Sequence, residues 1–142
     1  MEISVKNFFL IISGPTGVGK TNFSIKLAEK LPIEIVNCDN GQFYTKLSVG
    51  TAKPDVSLCA TPHHLFNIID GPCNYTVLEY RMALKKKLEE IWSRNKIPVL
   101  VGGSLFYIRS IFFPPLEYKK KVNQLENNQT IGLSSQELWN KL

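Results

Sequence analysis

The sequence predicts an α/β fold in which a parallel sheet is flanked by helices on both faces, and three observations carry this prediction. Apolar runs at 8–13 and 97–101 have the length and hydrophobicity of buried parallel strands, and 33–38 is predicted as a further strand. Segments with helical spacing of apolar residues separate these runs. A glycine-rich segment, 14–21, joins the first strand directly to the first helix. Strands that alternate with helices favour right-handed crossovers and a parallel sheet.

The first helix is predicted over 20–30, with Phe23, Leu27 and Leu31 on one face, and Pro32 ends it. The second strand follows at once over 33–38. Residues 40–62 contain several glycines and prolines and little periodicity, and a connection of that length in a compact domain is usually functional. The short apolar run 65–69 is a possible third strand.

The clearest helix begins after Thr76, because Thr76 and Glu79 have the spacing of a capping box. Its apolar residues fall at helical spacing and predict a buried face: Val77, Tyr80, Leu84, Leu88 and Ile91. The strand 97–101 then ends in Gly102-Gly103. A short helix capped by Ser104 is expected to run through Phe113, where two prolines stop it.

The chain changes character after Glu117. A lysine cluster at 119–121 and a polar stretch at 124–130 precede one more predicted helix at 134–142. Few apolar residues occur here, so the segment resembles the start of another module. We therefore predict a boundary between residues 115 and 116.

Composition sets only broad limits. The chain has 142 residues, which suits one domain, with a net charge of +5 and a pI near 9.1 that weakly favour polyanionic partners. The three cysteines form no C-x-x-C pair, so no zinc site or disulfide framework is predicted, and their odd number suits a reducing cytoplasm. The N-terminal apolar run is too short to cross a membrane and leads into the loop at 14–21, which argues against a signal peptide.

The segment 14–21 has the form G-x-x-x-x-G-K-T of a phosphate-binding loop, in the strand-before, helix-after context that such a loop requires. Its glycines let successive backbone N–H groups surround an anion, and the helix adds its positive end. Lys20 is expected to contact terminal phosphate oxygens, and Thr21 to offer its hydroxyl to Mg²⁺. The residues predicted to bind the phosphate groups of a ligand are Gly14, Pro15, Thr16, Gly17, Val18, Gly19, Lys20 and Thr21.

Four motifs in order resemble the tRNA dimethylallyltransferases, also called isopentenyl-tRNA transferases. They are the phosphate loop; Cys38-Asp39-Asn40-Gly41-Gln42-Phe43-Tyr44, followed by Val49-Gly50-Thr51-Ala52-Lys53-Pro54; Pro62-His63-His64-Leu65; and Val101-Gly102-Gly103-Ser104-Leu105-Phe106-Tyr107. The resemblance is close over 8–113. It implies a core over residues 1–115, and at 116–142 the beginning of a helical insertion that binds tRNA. Family members are longer, so the core is expected to lack its last strands and helices, with a C-terminal half missing.

The resemblance implies transfer of a dimethylallyl group from its diphosphate to N6 of the adenosine next to the anticodon of tRNA. Asp39 would be the general base for the amine, Thr21 the second catalytic residue and ligand of Mg²⁺, and the loop would hold diphosphate. Contacts to tRNA would come from Asp39, Asn40, Gly41, Gln42, Lys53 and Ser104. This sequence departs from the family pattern at three of these positions, where Ser, an apolar residue and Thr are usual in place of Asn40, Gly41 and Ser104.

Alternative interpretations remain for several of these residues. Asp39 could instead bind a metal-bound water or form a turn, and Asn40-Gly41 could simply form a turn. Lys53 could be an ordinary surface lysine, and Ser104 could act only as a helix cap. His63 and His64 are not expected to chelate one ion, because adjacent side chains on an extended segment point to opposite faces.

Two other functions also remain. The chain could be an inactive remnant that binds diphosphate or RNA, or half of a split enzyme. A small P-loop kinase is disfavoured, since the strand 97–101 ends in two glycines and no arginine follows Arg109.

Overall fold

A computed structural model describes residues 8–47, 51, 53–56, 59–71 and 73–113. Four strands and three α-helices alternate in the order β1 (Leu10–Ile12), α1 (Lys20–Ala28), β2 (Ile33–Asn37), β3 (His63–His64), α2 (Val77–Ser93), β4 (Ile97–Val101) and α3 (Leu105–Phe112). A 3₁₀-helical turn at Asn40–Phe43 follows β2. The sheet order is β1-β4-β2-β3 with every pair parallel, which confirms the predicted fold class.

The two faces of the sheet pack against different helices. Side chains that alternate along β2 and β4 send Ile35 and Val99 to the α1 side, where Leu27 covers them. Val36 and Leu100 point to the opposite side, against α2 and the aromatic residues Phe43 and Tyr107. Both central strands are covered on both faces. Strand β4 is apolar throughout, whereas β2 also buries the polar residues Glu34 and Asn37.

Helix α2 confirms the predicted capping box. The Thr76 hydroxyl accepts the N–H of Glu79 at 3.2 Å, and the Glu79 carboxylate accepts the N–H of Thr76 at 2.8 Å. All five predicted core positions of this helix are buried. Local capping and core packing therefore select the same helix.

Two sequence expectations are wrong. The third strand is not 65–69 but His63–His64, because Leu65 and Asn67 adopt left-handed backbone conformations (φ 60° and 52°) that interrupt an extended chain. Within 65–69 only Ile69 makes a strand-like contact, an isolated parallel bridge to Tyr44. Ser104 precedes α3, but its side chain makes no capping bond there.

The first helix ends two residues earlier than predicted, at Ala28, and the face assigned to it is only partly buried. Leu27 packs against the sheet, while Phe23 is 58% exposed and Leu31 40% exposed. The small side chain of Ser24 occupies the close approach between helix and sheet, and it is the buried residue of α1.

The predicted boundary at 115/116, the lysine cluster 119–121 and the helix at 134–142 lie outside the described residues. In the ranges that are described, no helix is both long and apolar enough to cross a membrane.

Candidate active site

The loop between β1 and α1 has the backbone of a phosphate-binding nest. Gly14, Gly17 and Gly19 have positive φ angles of 150°, 82° and 91°, which side-chain-bearing residues rarely adopt. The Lys20 ammonium folds back over this loop and donates to the carbonyl oxygens of Gly14 at 2.9 Å and Pro15 at 2.8 Å. Two of its three N–H donors thus fix the side chain over the loop.

Asp39 stands just past the carboxyl end of β2, where open parallel sheets place ligands. Its backbone is held by Asn37, whose amide oxygen accepts the Asp39 N–H at 2.9 Å and whose amide nitrogen donates to the Asp39 carbonyl at 3.1 Å. The same nitrogen lies 3.1 Å from the Leu65 carbonyl. Fully buried Asn37 therefore fixes Asp39 to the end of β2 and to Leu65, the residue that follows β3.

The glycine pair after β4 lets the phosphate loop and Asp39 approach each other. A Cβ on Gly102 would stand 2.1 Å from the Cys38 carbonyl oxygen, so only glycine fits there. A Cβ on Gly103 would stand 3.2 Å from the Gly14 carbonyl oxygen, 3.7 Å from Asp39 Oδ2 and 3.9 Å from Lys20 Nζ. The Gly103 N–H also donates to Asp39 Oδ2 at 3.3 Å. The carboxylate and the ammonium thus converge on one point.

A cleft of about 320 Å³ opens beside this point, on the α1 side of the sheet. Its polar wall includes Lys20, Thr21, Asp39 and Gln42, all predicted site residues. The cleft is also lined by apolar side chains and one imidazole: Ile35, Phe66, Val101 and His63. One compartment therefore joins an anion-binding loop, a carboxylate and an apolar surface.

Other predicted tRNA contacts make bonds inside the chain. The Asn40 N–H donates to the Ser104 hydroxyl at 2.9 Å, and its side-chain oxygen lies 3.2 Å from the Tyr107 hydroxyl. Gln42, although in the cleft, donates its amide N–H to the Thr51 carbonyl at 3.0 Å. A Cβ on Gly41 would stand 2.9 Å from the Thr51 methyl group, so this glycine permits close packing.

Lys53 contacts protein oxygens instead of facing outward. Its ammonium donates to the Tyr44 carbonyl at 2.6 Å and to the Asn67 side-chain oxygen at 2.7 Å. Burial lowers the pKa of this lysine. Lys53 thus ties the chain after the 3₁₀ turn to the left-handed residue Asn67, and its expected contact to tRNA stays a prediction.

The two adjacent histidines face opposite sides of the sheet, as expected. His63 lines the cleft, whereas the His64 Nε2 atom lies 2.6 Å from Glu34 Oε2 on the other face. Arg94 also donates to Glu34, with two bonds of 3.0 and 2.7 Å. Burial opposes ionisation of Glu34, but the hydrogen bonds from Arg94 and His64 prevail and lower its pKa. Within the described ranges, no three His, Cys, Asp or Glu side chains form a metal-binding group.

Sequence reasoning missed Asn37 and gave His63 no role in binding. An Asn two residues before a site Asp is a recurrent turn-forming signal, and it could have indicated the first. Nothing local distinguishes His63 from His64, because only the strand register decides which of them faces the cleft. Cys38, adjacent to Asp39, is not a candidate nucleophile, since burial raises the pKa of its thiol to about 11.

Comparison with known proteins identifies the family. Residues 42–142 match the family model described as IPP transferase. The tRNA dimethylallyltransferase of Dictyoglomus turgidum is 39% identical over 128 residues, covering 84% of this chain and 39% of that protein. The tRNA dimethylallyltransferase of Geobacter sulfurreducens is 42% identical over 107 residues, covering 75% of this chain and 34% of the relative.

Solved structures agree with these relatives. The tRNA isopentenylpyrophosphate transferase of Bacillus halodurans aligns with a TM-score of 0.72 at 30% identity, covering 87% of this chain and 44% of the other. A eukaryotic dimethylallyltransferase acting on tRNA aligns with a TM-score of 0.71 at 33% identity, covering 76% and 27%. The chain spans about two-fifths or less of the length of the curated relatives above. With the matched motifs assembled around one cleft, the chain belongs to the IPP transferase family.

Proposed function

We propose that this chain forms the donor-binding half of a tRNA dimethylallyltransferase site. In this proposal a dimethylallyl group passes from its diphosphate to N6 of the adenosine next to the tRNA anticodon. The observation that carries the proposal is the convergence of Asp39 Oδ2 and Lys20 Nζ on one point beside Gly103. A base for the nucleophile and a cation for the leaving group are both needed there.

The leaving diphosphate is proposed to lie on the backbone N–H groups of 14–21, with Lys20 contacting a terminal oxygen. Charge develops on this group as the carbon–oxygen bond breaks, and donors aimed at it in advance lower the barrier. The apolar wall of Ile35, Phe66 and Val101 suits a hydrocarbon chain, which carries no hydrogen-bonding group.

Asp39 is proposed to take the proton from the exocyclic amine as it attacks, since an aromatic amine is a weak nucleophile. Its backbone is held by Asn37, and its Oδ2 atom by the Gly103 N–H, so the carboxylate is fixed before substrate arrives. Gln42 lies in the same cleft, where a side-chain amide is suited to an adenine edge.

The donor set also suits Mg²⁺. This ion is usually held by one or two protein oxygens together with substrate phosphates and water, so a dedicated cluster of carboxylates is not required. The Thr21 hydroxyl lines the cleft and would be the protein ligand. When bound, the ion would neutralise charge on the diphosphate.

Family membership sets aside the kinase alternative. The proposed compartment is the cytoplasm, which suits the free cysteines Cys38, Cys59 and Cys73. An inactive binding remnant and half of a split enzyme share the donor site with the main proposal, and they differ from it only in turnover.

Calorimetric titration of the folded chain with inorganic diphosphate in Mg²⁺ tests the donor site. We expect saturable binding that Lys20→Ala weakens by about 10- to 100-fold, the effect of losing a charge-assisted hydrogen bond. Lys26→Ala, on the exposed side of the same helix, is the matched control and should bind like the parent. Absence of diphosphate binding by a folded parent chain would overturn the proposal.

A further inference from the structure

The segment after β3 changes direction twice around Phe66. The flanking residues Leu65 and Asn67 both have left-handed backbone conformations, with φ angles of 60° and 52°. Such angles are uncommon outside glycine, and a bulky residue such as Leu65 rarely adopts them. Between them the ring of Phe66 lines the cleft and packs edge-on against His63, with ring centroids 5.5 Å apart. The unusual backbone on either side therefore determines where this aromatic ring stands.

Strained backbone conformations persist only where neighbouring groups hold them. The Leu65 carbonyl accepts a bond from Asn37 Nδ2 at 3.1 Å. The backbone N–H of Asn67 donates to the Gln42 carbonyl at 3.2 Å, and its side-chain oxygen accepts a bond from the Lys53 ammonium at 2.7 Å. Each of the two left-handed residues is thus tied to a side chain on another segment.

The ammonium of Lys53 joins this segment to the chain that follows the 3₁₀ turn. It also donates to the Tyr44 carbonyl at 2.6 Å, so two of its three N–H donors are bound to protein oxygens. The described residues that line the cleft include Phe66 and Pro54 but not Lys53. Lys53 therefore supports one side of the cleft without facing it.

We propose that Lys53 is a positioning residue, which acts through Asn67 to hold Phe66 where the hydrocarbon of the allylic diphosphate packs. The inference rests on the proposed function and concerns the binding of the donor. Phe66 also packs against the apolar core on the α1 side of the sheet, so a shift of its backbone would disturb the apolar surface of the cleft. This role differs from the direct tRNA contact that the sequence predicts for Lys53.

The test compares two ligands by calorimetry of the folded chain in Mg²⁺. Dimethylallyl diphosphate and methyl diphosphate carry the same charge, but the second lacks most of the hydrocarbon. We expect the parent chain to bind dimethylallyl diphosphate about 10- to 100-fold more tightly, because apolar carbons leave water. Lys53→Met keeps an apolar stem without the charge and should lose most of this ratio, with unchanged affinity for methyl diphosphate. Lys46→Met, an exposed lysine of the same loop, is the matched control.

The alternatives give different results in this comparison. Equal weakening of both ligands by Lys53→Met would show a direct contact to phosphate and overturn the proposal. An unchanged ratio would show that Phe66 does not depend on Lys53, which would also overturn it. Phe66→Ala should lose the ratio by itself, and Lys53→Met added to it should lower the ratio no further. Independent losses from the two substitutions would contradict action through Phe66.

Two substitutions at Asn67 test the hydrogen bond, and they keep the proposal testable if Lys53→Met does not fold. Asn67→Asp keeps an oxygen for the ammonium and should keep the ratio. Asn67→Gly adopts the left-handed conformation freely but has no oxygen, so the ratio should fall. Equal ratios in these two folded variants would overturn the proposal.

The same titrations separate this inference from the proposed function. Failure of the parent chain to bind methyl diphosphate would count against the proposed function. Binding of methyl diphosphate without any gain from the hydrocarbon, or a gain that survives Lys53→Met, would count against the inference alone.

Discussion

At the scale of single residues, the site depends on groups that perform no chemistry themselves. Asn37 is buried and makes all its side-chain bonds to backbone atoms, two of them on Asp39. Gly102 and Gly103 bring Cys38, Asp39 and the phosphate loop together by having no side chain. The position of Asp39, the proposed base, is thus determined by the missing side chains of the two glycines and by the hydrogen bonds of the Asn37 amide.

The two glycines differ in a testable way. Gly102→Ala would force a methyl group to 2.1 Å from the Cys38 carbonyl, so we expect loss of stability of more than about 3 kcal/mol or failure to fold. Gly103→Ala meets its nearest atom, the Gly14 carbonyl oxygen, at 3.2 Å and should fold, with weaker diphosphate binding because the phosphate loop must shift at Gly14. Urea denaturation and calorimetry check both effects. Equal stability of the two variants would contradict the close approach at Gly102.

Asp39→Ala should lower turnover by about 10²- to 10⁴-fold in any active assembly that contains this chain, with diphosphate affinity nearly unchanged. The physical reason is loss of the group that removes the amine proton. Glu29→Ala, which removes an exposed carboxylate that does not line the cleft, is the control. Collapse of diphosphate affinity with turnover preserved at saturation would indicate that Asp39 serves a metal or the loop.

At the scale of elements, β3 is too short to be held by strand pairing alone. Its two residues pair with Ile35 and Val36, and the His64–Glu34–Arg94 cluster links β3, β2 and the end of α2 on the face away from the cleft. This cluster helps to hold β3 against β2, and the register of the two strands places His63 at the cleft.

The cluster predicts a pH-dependent contribution to stability. Glu34 has a lowered pKa in the folded chain, so its stabilisation is present above the ordinary value of 4.5 and is lost as pH falls through the folded value. Arg94→Met should therefore cost about 1–3 kcal/mol at pH 7, less than a fully buried pair because Arg94 is partly exposed, and much less at pH 3.

Urea denaturation at several pH values measures this difference. Lys96→Met, an exposed neighbour, controls for loss of a positive charge and should show little effect at any pH. A cost of Arg94→Met that stays constant from pH 7 to pH 3 would show that packing, not the ion pair, accounts for it.

At the scale of the whole molecule, one region of the surface is unusually apolar. On and beside α3, Leu105, Phe106, Phe112 and Phe113 are 72%, 71%, 59% and 72% exposed. In the described part of the chain β1 pairs only with β4, so its other edge is open. Helix α3 lies on the same face as α2, and a right-handed crossover after it would place a further parallel strand beside β1.

Two expectations concern how the 142-residue chain behaves on its own. We expect the 142-residue chain alone to transfer prenyl groups to an anticodon stem-loop very slowly, since an RNA must be gripped through several phosphates and its base unstacked. We also expect self-association through the apolar surface, which Phe106→Gln together with Phe112→Gln should reduce. Sedimentation and a transfer assay measure the two effects. Turnover of ~1 s⁻¹ or more by purified monomer would contradict this expectation.

The sequence by itself determined the elements whose signals are local. The phosphate loop needs glycines and a lysine at fixed spacing, the capping box needs Thr76 and Glu79, and buried parallel strands need apolar runs. Each of these signals acts within about ten residues, so no tertiary information is needed to detect it. The family resemblance rests on the same local patterns, and the comparisons confirm it.

Tertiary structure alone decided the features that join distant segments. The strand at His63–His64 exists because it pairs with β2. Its register places His63 at the cleft and His64 against Glu34. Lys53 and Ser104 make contacts that spacing could not reveal, since their partners lie on other loops. Pairing across a sheet and packing between loops depend on distances in space, and a linear pattern does not encode them.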